Sequence, residues 1–346
     1  MVSTRKNERG KSLKAIQIDR FGGAEELKLR DVPVPQVGPE QVLVKISYAS
    51  INPADWKARA GLLPHLAMFP FPMTVGMDGA GVVEAVGHGV TEFRPGDRVV
   101  ALSGFGLGFG GTYAEYCCIP AARVVSLPMH LSLADGATIP IAAASAANSI
   151  LEVARSKAGD LVLVNGGAGG VGSFSIQFLK SLGCSVAATC SSRNIEYVRT
   201  LGADLVIDYT HGNILDVVGE WAPKGLNAVI DAVGQHSLPR ETPDYIKPGG
   251  VLVCITNLLT GPEAFDLEGA ASRNVKVLDN VTTTMPENPV WFQVESFRQL
   301  MAAVAAKTVK PPPYKIVPLD EVGAAQVEVA EGHVRGKILL EIGGGR

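Results

Sequence analysis

The chain has 346 residues, 47% of them hydrophobic and 19% charged, with a mean hydropathy of +0.20. That balance excludes a disordered polymer and supplies apolar surface for two cores, the usual number at this length. The formal net charge of −3 creates no basic field for nucleic-acid phosphates or an anionic membrane surface, so neither is an expected partner.

In chain order, residues 1–14 are polar and basic, include Glu8 and hold no apolar run, so they read as a loose tail and not as a signal peptide or anchor. From Leu13 to about Leu127, short strand-like runs such as QVLVKISY at 41–48 are punctuated by Gly and Pro, which predicts a compact, mostly β domain. The Gly-rich stretch at 104–111 reads as a surface loop or pocket rim. Between Ser132 and Ala154 a small-residue helical stretch, interrupted at Pro140, joins the two domains. From Asp160, apolar runs at 161–164, 185–189, 204–207, 227–231, 251–255 and 275–278 alternate with helical segments. This alternation predicts a doubly wound parallel sheet covered on both faces. A helix over 290–307 follows. PPPYKIVPLDEV then breaks the alternation, and GKILLEI reads as a strand returning to the first domain. No run approaches the roughly 18 uninterrupted apolar residues of a membrane span. Cys117, Cys118, Cys184, Cys190 and Cys254 form an odd set without a C-x-x-C pair, which predicts reduced, packed thiols and a cytoplasmic setting.

Directly after the run 161–164 come Asn165, Gly166, Gly167, Ala168, Gly169, Gly170, Val171 and Gly172, in which Gly167, Gly169 and Gly172 fit G-x-G-x-x-G. The first glycine permits the turn, the second lets backbone approach a pyrophosphate, and the third lets helix and strand pack closely, with phosphates at the positive helix end. The following segment places Val171, Phe174 and Phe178 on one apolar helix face. Strand, glycines, helix and next strand occur in order, which favours a dinucleotide site over a plain glycine-rich turn. NAD-binding versions carry an acid at the end of the second strand for the ribose 2′-hydroxyl. Here that strand runs into Thr189, Cys190, Ser191, Ser192 and Arg193. These are hydroxyl donors and a cation suited to a 2′-phosphate, so NADPH is the expected cofactor. The competing reading has Ser191 and Ser192 capping the next helix and Arg193 as a solvated charge.

The segments DVPVPQVGPEQVLVKI, SINPADWKARAG, GMDGAGVVEAVG, RPGDRVV, VNGGAGGVGSFSIQ, LGADLVIDYT, DAVG and GKILLEI together resemble the medium-chain dehydrogenase/reductase superfamily. Within it they are most similar to the zinc-independent quinone oxidoreductase and alkenal/enone reductase branch. The resemblance implies an α/β protein with a GroES-like, mostly β catalytic domain built from residues 1–137 and 311–346 and a Rossmann cofactor domain at 138–310. It also implies a homodimer. Zinc-dependent relatives carry Cys and G-H-E ligands. Here Gly76, Met77 and Asp78 occupy the corresponding region, and Ser50 and Asn52 stand where a cysteine is expected, so no metal is expected. The six histidines are scattered without ligand spacing and read as ordinary polar residues.

Without a Lewis acid to polarise a carbonyl, the remaining chemistry is hydride delivery to an electron-poor carbon of a small electrophilic acceptor: a quinone, enone or enal. By resemblance, Asn52 in the I-N-P-x-D segment lies at the nicotinamide end of the site as a catalytic and cofactor-binding residue. Its alternative is an Asx-type turn before Pro53. Lys57 is the second catalytic candidate, because similar alkenal reductases carry lysine there. Asp55 and Arg59 form an i, i+4 pair for which a purely structural role is open. Leu62 and Leu63 stand where the family often has a tyrosine, which implies a more apolar pocket. The resemblance further places Ser145 near the nicotinamide ribose, Tyr209 beside the adenosine phosphate and Val233 with Gly234 at the cofactor ribose. It puts Ile255 and Thr256 at the end of the fifth Rossmann strand and Lys337 at the cofactor site. Each of these has plain packing, loop geometry or solvation as its competing reading. Two other functions stay open: reduction of a biosynthetic enoyl thioester, and cofactor binding with little turnover, since fold alone does not decide activity.

Overall fold

The computed structural model describes residues 12–63, 69–103, 105, 110–234, 236–255, 262–279 and 294–343. The expected tail before residue 12 and most of the 104–111 stretch lie outside the described residues. The chain divides into two compact units: Met1–Leu127 with Ile316–Val327 and Leu339–Arg346, and Pro128–Lys315 with Glu328–Ile338.

The first unit is mostly β, as its Gly- and Pro-punctuated runs predict. Its elements are β1 (Ser12–Ile18), β2 (Lys28–Pro33), β3 (Gln41–Ile51), α1 (Pro53–Arg59), β4 (Met73–Thr74), β5 (Asp78–Val86), β6 (Arg98–Leu102), β7 (Tyr116–Pro120) and β8 (Val124–Ser126). Strands β2, β1 and β4 form a small antiparallel sheet. In the larger sheet β3 pairs with β5 and β7, and β5 leads on through β6 to β8. Along β3, Val42, Leu43, Val44 and Ile46 are buried while Lys45 is exposed. Strand β5 comes so close to β3 at Gly81 that a Cβ there would lie 2.0 Å from the Lys45 carbonyl oxygen, beside a register shift between Ile46 and Tyr48.

The second unit carries β9 (Leu161–Asn165), β10 (Ser185–Cys190), β11 (Leu205–Asp208), β12 (Leu226–Asp231), β13 (Ile246–Cys254) and β14 (Lys276–Asp279). These pair in parallel in the order β11-β10-β9-β12-β13-β14. The chain enters at the middle of the sheet, winds outward to β11 and then returns to wind the other way, so the order reverses between β9 and β12. The helices are α2 (Leu133–Ala137), α3 (Pro140–Ala147), α4 (Gly170–Ser181), α5 (Ile195–Thr200), α6 (Ile214–Trp221), α7 (Leu267–Ser272) and α8 (Val294–Ala305). Pro140 interrupts the 132–154 stretch as expected, by opening a new helix at a position where its missing N–H costs nothing. The helix runs on through one π-helical stretch, Asn148–Val153. Leu163, Ala187, Val229 and Leu252 meet Val218 and Phe265 in one core, and α4 buries Phe174, Ile176, Phe178 and Leu179. Val171 is only partly covered, so the apolar face of α4 is displaced toward Ile176 and Leu179.

The chain ends with β15 (Tyr314–Pro318), α9 (Val322–Glu331) and β16 (Lys337–Glu341), and β16 continues the larger sheet beside β3. The division between units falls at residues 127/128, and the terminal stretch is shared, whereas the sequence reading draws the lines at 137/138 and 310/311. Hydrogen bonds hold 328–338 in the second unit: Gly336 N–H donates to Ala168 C=O in the glycine-rich loop at 2.9 Å, and Lys337 N–H donates to Pro313 C=O at 3.0 Å. Among the described residues no helix is long and apolar enough to cross a membrane.

Candidate functional site

At the carboxyl end of β9 the chain turns through Gly166, whose φ of 81° favours glycine. Gly167 N–H donates to the Thr189 carbonyl at 2.9 Å, and Gly169 caps α4 in an extended conformation. A Cβ on Gly172 would lie 2.2 Å from the Gly166 carbonyl oxygen, so only glycine allows this helix to start so close to the strand. A Cβ on Gly169 would instead meet only the Gly166 oxygen at 3.6 Å, so the space before the turn is open. The N–H groups of Gly170, Val171 and Gly172 begin α4 without helical acceptors and point their partial positive charge there. The turn therefore fits a pyrophosphate.

Lys337 lies against this turn. Its stem covers Gly170, where a Cβ would come within 2.8 Å of Lys337 Cδ, and the residue is 6% exposed. The strand pairing of Gly169 with Gly336 holds it there. Ser145 is buried in α3, and its carbonyl accepts the Ser149 hydroxyl at 2.8 Å. Val233 N–H and Gly234 N–H donate to Asp231 Oδ1 at 3.1 and 3.0 Å, and Ile255 N–H donates to the Asp231 carbonyl at 3.0 Å. Thr256 lies outside the described residues.

The end of β10 is more crowded than its sequence suggests. Ser191 Oγ accepts from Asn194 Nδ2 at 3.2 Å. Ser192 Oγ is 2.9 Å from Thr210 Oγ1 and 3.3 Å from His211 Nδ1, in a group around Asp208. Hydrogen bonds from Ser192 and Thr210 hold the Asp208 carboxyl well below the usual carboxylate range. The Arg193 guanidinium donates to the His333 carbonyl. Arg335 Nε donates to Asn194 Oδ1 at 2.7 Å, its Nη2 to the Arg193 carbonyl at 2.7 Å, and its guanidinium lies 5.9 Å from the Tyr197 ring centre. Tyr209 is 44% exposed, and its N–H donates to the Cys190 carbonyl at 3.2 Å. Sequence reasoning did not select Arg335; its one visible signal was a second cation beside Lys337 in GHVRGK.

The first unit holds a buried polar cluster. Asn52 and Asp55 make a reciprocal cap on α1, with Asn52 N–H donating to Asp55 Oδ2 at 2.8 Å and Pro53 opening the helix. Asn52 Nδ2 donates to Asp78 Oδ1 at 2.8 Å, to Asp55 Oδ2 at 3.2 Å and to Ser50 Oγ at 3.3 Å, and the residue is 2% exposed. Ser50 Oγ donates to the same Asp78 oxygen at 2.7 Å, and Met77 N–H to Asp55 Oδ1 at 3.0 Å. The residues that the sequence placed in the zinc-ligand stretch are thus brought together and bound to each other. Asn52 stands at the start of α1 as its cap, with its side-chain amide turned to Asp78, Asp55 and Ser50. Tyr113, which sequence reasoning passed over, is fully buried beside this cluster. Its hydroxyl donates to the Ser50 carbonyl at 3.3 Å, and burial among Asp55 and Asp78 pushes its phenol up.

Lys57 is 3% exposed, with Nζ 5.7 Å from the Trp56 ring centre, and burial lowers its pKa from the ordinary lysine value. Arg59 turns to Gln326 Oε1 at 2.8 Å and to the Gly22 carbonyl, a structural role. Among the described residues no group of three or more His, Cys, Asp or Glu side chains is placed to hold a metal ion.

Residues 38–129 match the family described as alcohol dehydrogenase GroES-like domain, and residues 170–305 match the one described as zinc-binding dehydrogenase. A quinone oxidoreductase, QR1, from Triphysaria versicolor is 32% identical over 346 residues, covering 96% of this chain and 99% of the relative. The chain belongs to the medium-chain dehydrogenase/reductase superfamily, in its quinone and enone reductase branch. The NADPH-dependent alkenal/one oxidoreductase of Arabidopsis thaliana is 38% identical over 259 residues, 73% of this chain and 64% of the relative. The solved structure of the quinone oxidoreductase from Coxiella burnetii superposes with a TM-score of 0.82 at 31% identity, over 96% of this chain and all of that one. The first unit is accordingly the GroES-like part of the superfamily fold and the second its Rossmann-type part. The second family match begins at Gly170, the first residue of α4.

Proposed function

We propose that this medium-chain oxidoreductase uses NADPH to reduce quinones or α,β-unsaturated carbonyl compounds without a metal. The observation that carries the reading is the end of β10, where Arg335 is bonded to Asn194 and to the Arg193 backbone in the turn that begins at Ser191, and the strand itself ends in Cys190 with no carboxylate. Two guanidinium groups and a hydroxyl suit a phosphate dianion better than a ribose hydroxyl. The acid paired with Cys190 across the sheet, Asp208, is occupied by Ser192, Thr210 and His211.

When bound, NADPH supplies a hydride to the electron-poor carbon. The glycine-rich turn holds the pyrophosphate through the first amides of α4, with Lys337 adding a cation beside Gly170. Val233, Gly234 and Ile255 line the loops that receive the rest of the dinucleotide, and Ser145 lies on the neighbouring α3. Lys57 is assigned to donate a hydrogen bond to the acceptor's carbonyl oxygen as negative charge develops on it. Asn52 holds the start of α1 and thereby places Lys57. The acceptor class is supported by the names of the two relatives above. Five buried free thiols fit a reducing compartment such as the cytoplasm, and the homodimer rests on family likeness alone.

The test is NADPH oxidation across quinones, enals, enones and enoyl thioesters, with and without a zinc chelator. Turnover of quinones or enones, unaffected by the chelator, is expected. Activity confined to enoyl thioesters, or cofactor binding without turnover of any acceptor, overturns the proposal.

A further inference from the structure

The sheet order reverses between β9 and β12, so the connections leaving these two neighbouring strands depart to opposite faces and their shared backbone ladder stops at Asn165 and Asp231. Past that point one further backbone bond, Ala232 N–H to the Asn165 carbonyl at 3.3 Å, joins the two ends, and side chains must set the rest of the spacing of the two loops. One row of buried side chains crosses it. Asn165 Nδ2 donates to Asp231 Oδ1 at 2.8 Å and to Ser237 Oγ at 2.8 Å, and Asn165 Oδ1 accepts from Thr189 Oγ1 at 2.6 Å. Two of these partners, Thr189 and Asp231, in turn grip backbone. Thr189 Oγ1 accepts from Gly166 N–H at 3.0 Å, and Asp231 Oδ1 accepts from the N–H groups of Val233 and Gly234. Asn165, Thr189 and Asp231 are each at most 3% exposed.

An amide and a carboxylate at the end of an otherwise apolar strand cost stability unless fully hydrogen-bonded, and when fully bonded they admit one geometry. The loops are already in contact: a Cβ on Gly166 would lie 2.5 Å from Val233 Cγ2, so a small change in their separation alters the space between them.

We propose that Asn165 and Asp231 form a brace across this reversal, positioning the glycine-rich turn against the 231–234 loop so that both grip one dinucleotide. The inference rests on the dinucleotide reading above and adds two positioning residues that act through the loops they hold.

The test is direct binding of NADPH and of adenosine 2′-monophosphate to the intact protein, for Asn165→Asp, Asp231→Asn and the exchange variant carrying both. Asn165→Asp removes the donor and sets two carboxylates face to face. The exchange restores one amide against one carboxylate: the amide oxygen at 231 still accepts from Val233 and Gly234, and the carboxylate at 165 still accepts from Thr189. NADPH affinity is expected to fall roughly 10- to 100-fold in Asn165→Asp and to recover most of that loss in the exchange. Adenosine 2′-monophosphate, which lacks the pyrophosphate, binds all variants alike. Unchanged NADPH affinity in Asn165→Asp overturns the brace. So does an exchange variant that recovers nothing, or equal loss of both ligands. A wild-type chain that binds NADH and not NADPH overturns the NADPH preference alone, and the same series with NADH then decides the brace. Binding of neither dinucleotide overturns both.

Discussion

Arg335 and Arg193 each hydrogen-bond the other's stretch of backbone: Arg335 Nη2 donates to the Arg193 carbonyl at 2.7 Å, and the Arg193 guanidinium donates to the carbonyl of His333. The segment before β16 is thereby fastened to the turn after β10, and two cations are gathered at one strand end. Arg335→Gln should weaken NADPH binding roughly tenfold, a modest loss because the residue is exposed, and leave NADH binding nearly unchanged. Titration with both cofactors checks this, and an equal loss for the two would assign Arg335 to holding the segment alone.

Gly169 and Gly172 should separate cofactor binding from folding. In Gly172→Ala the new methyl meets the Gly166 carbonyl at 2.2 Å, and the strain should cost about 1–3 kcal/mol of stability along with NADPH binding. In Gly169→Ala the methyl meets only an oxygen at 3.6 Å, so thermal unfolding should stay near wild type while NADPH affinity drops. Equal unfolding midpoints for the two variants would contradict this assignment.

Asp55 joins the cap of α1 to the strand-β5 side of the cluster, accepting from Asn52 N–H and Met77 N–H at 2.8 and 3.0 Å. Asp55→Ala leaves both buried donors without this acceptor and should destabilise the protein by about 2–4 kcal/mol. Urea unfolding measures the loss, and a change below about 0.5 kcal/mol, the range of ordinary surface substitutions, would show the cluster to be dispensable.

Lys57 provides a pH signature. In the proposed role its proton is the one donated to the acceptor oxygen, and burial lowers its pKa from the ordinary lysine value. Activity that depends on this proton is present below the lowered pKa and is lost as pH rises through it, so the alkaline limb of kcat/KM should lie below that of an exposed lysine. Lys57→Met should lower kcat with NADPH affinity unchanged. An alkaline limb retained intact in Lys57→Met would remove Lys57 from the chemistry.

The parts of this protein legible in its sequence are those that depend on neighbours in the chain. The apolar runs 161–164 and 227–231 became β9 and β12 because parallel strands covered on both faces need continuous apolar residues, and Gly172 was legible because its helix follows its strand directly. The site was less legible where it depends on distant segments. Asn52 was recognised as polar and placed, but its acceptor Asp78 lies 26 residues away, and Tyr113 reaches the Ser50 carbonyl across 63. Arg335 stands 142 residues from the carbonyl it holds, and no local pattern announces such a contact. The same long-range bonding holds 328–338 in the second unit.

The most direct test of the central claim is to run the reaction with NADPH deuterated at the transferring C4 position and a simple enone, and to locate the label in the product. Deuterium on the carbon β to the carbonyl, with one equivalent of NADPH consumed per saturated ketone formed, is the expected result. A product reduced at the carbonyl carbon, or NADPH bound without reduction of either the enone or a quinone, contradicts the account.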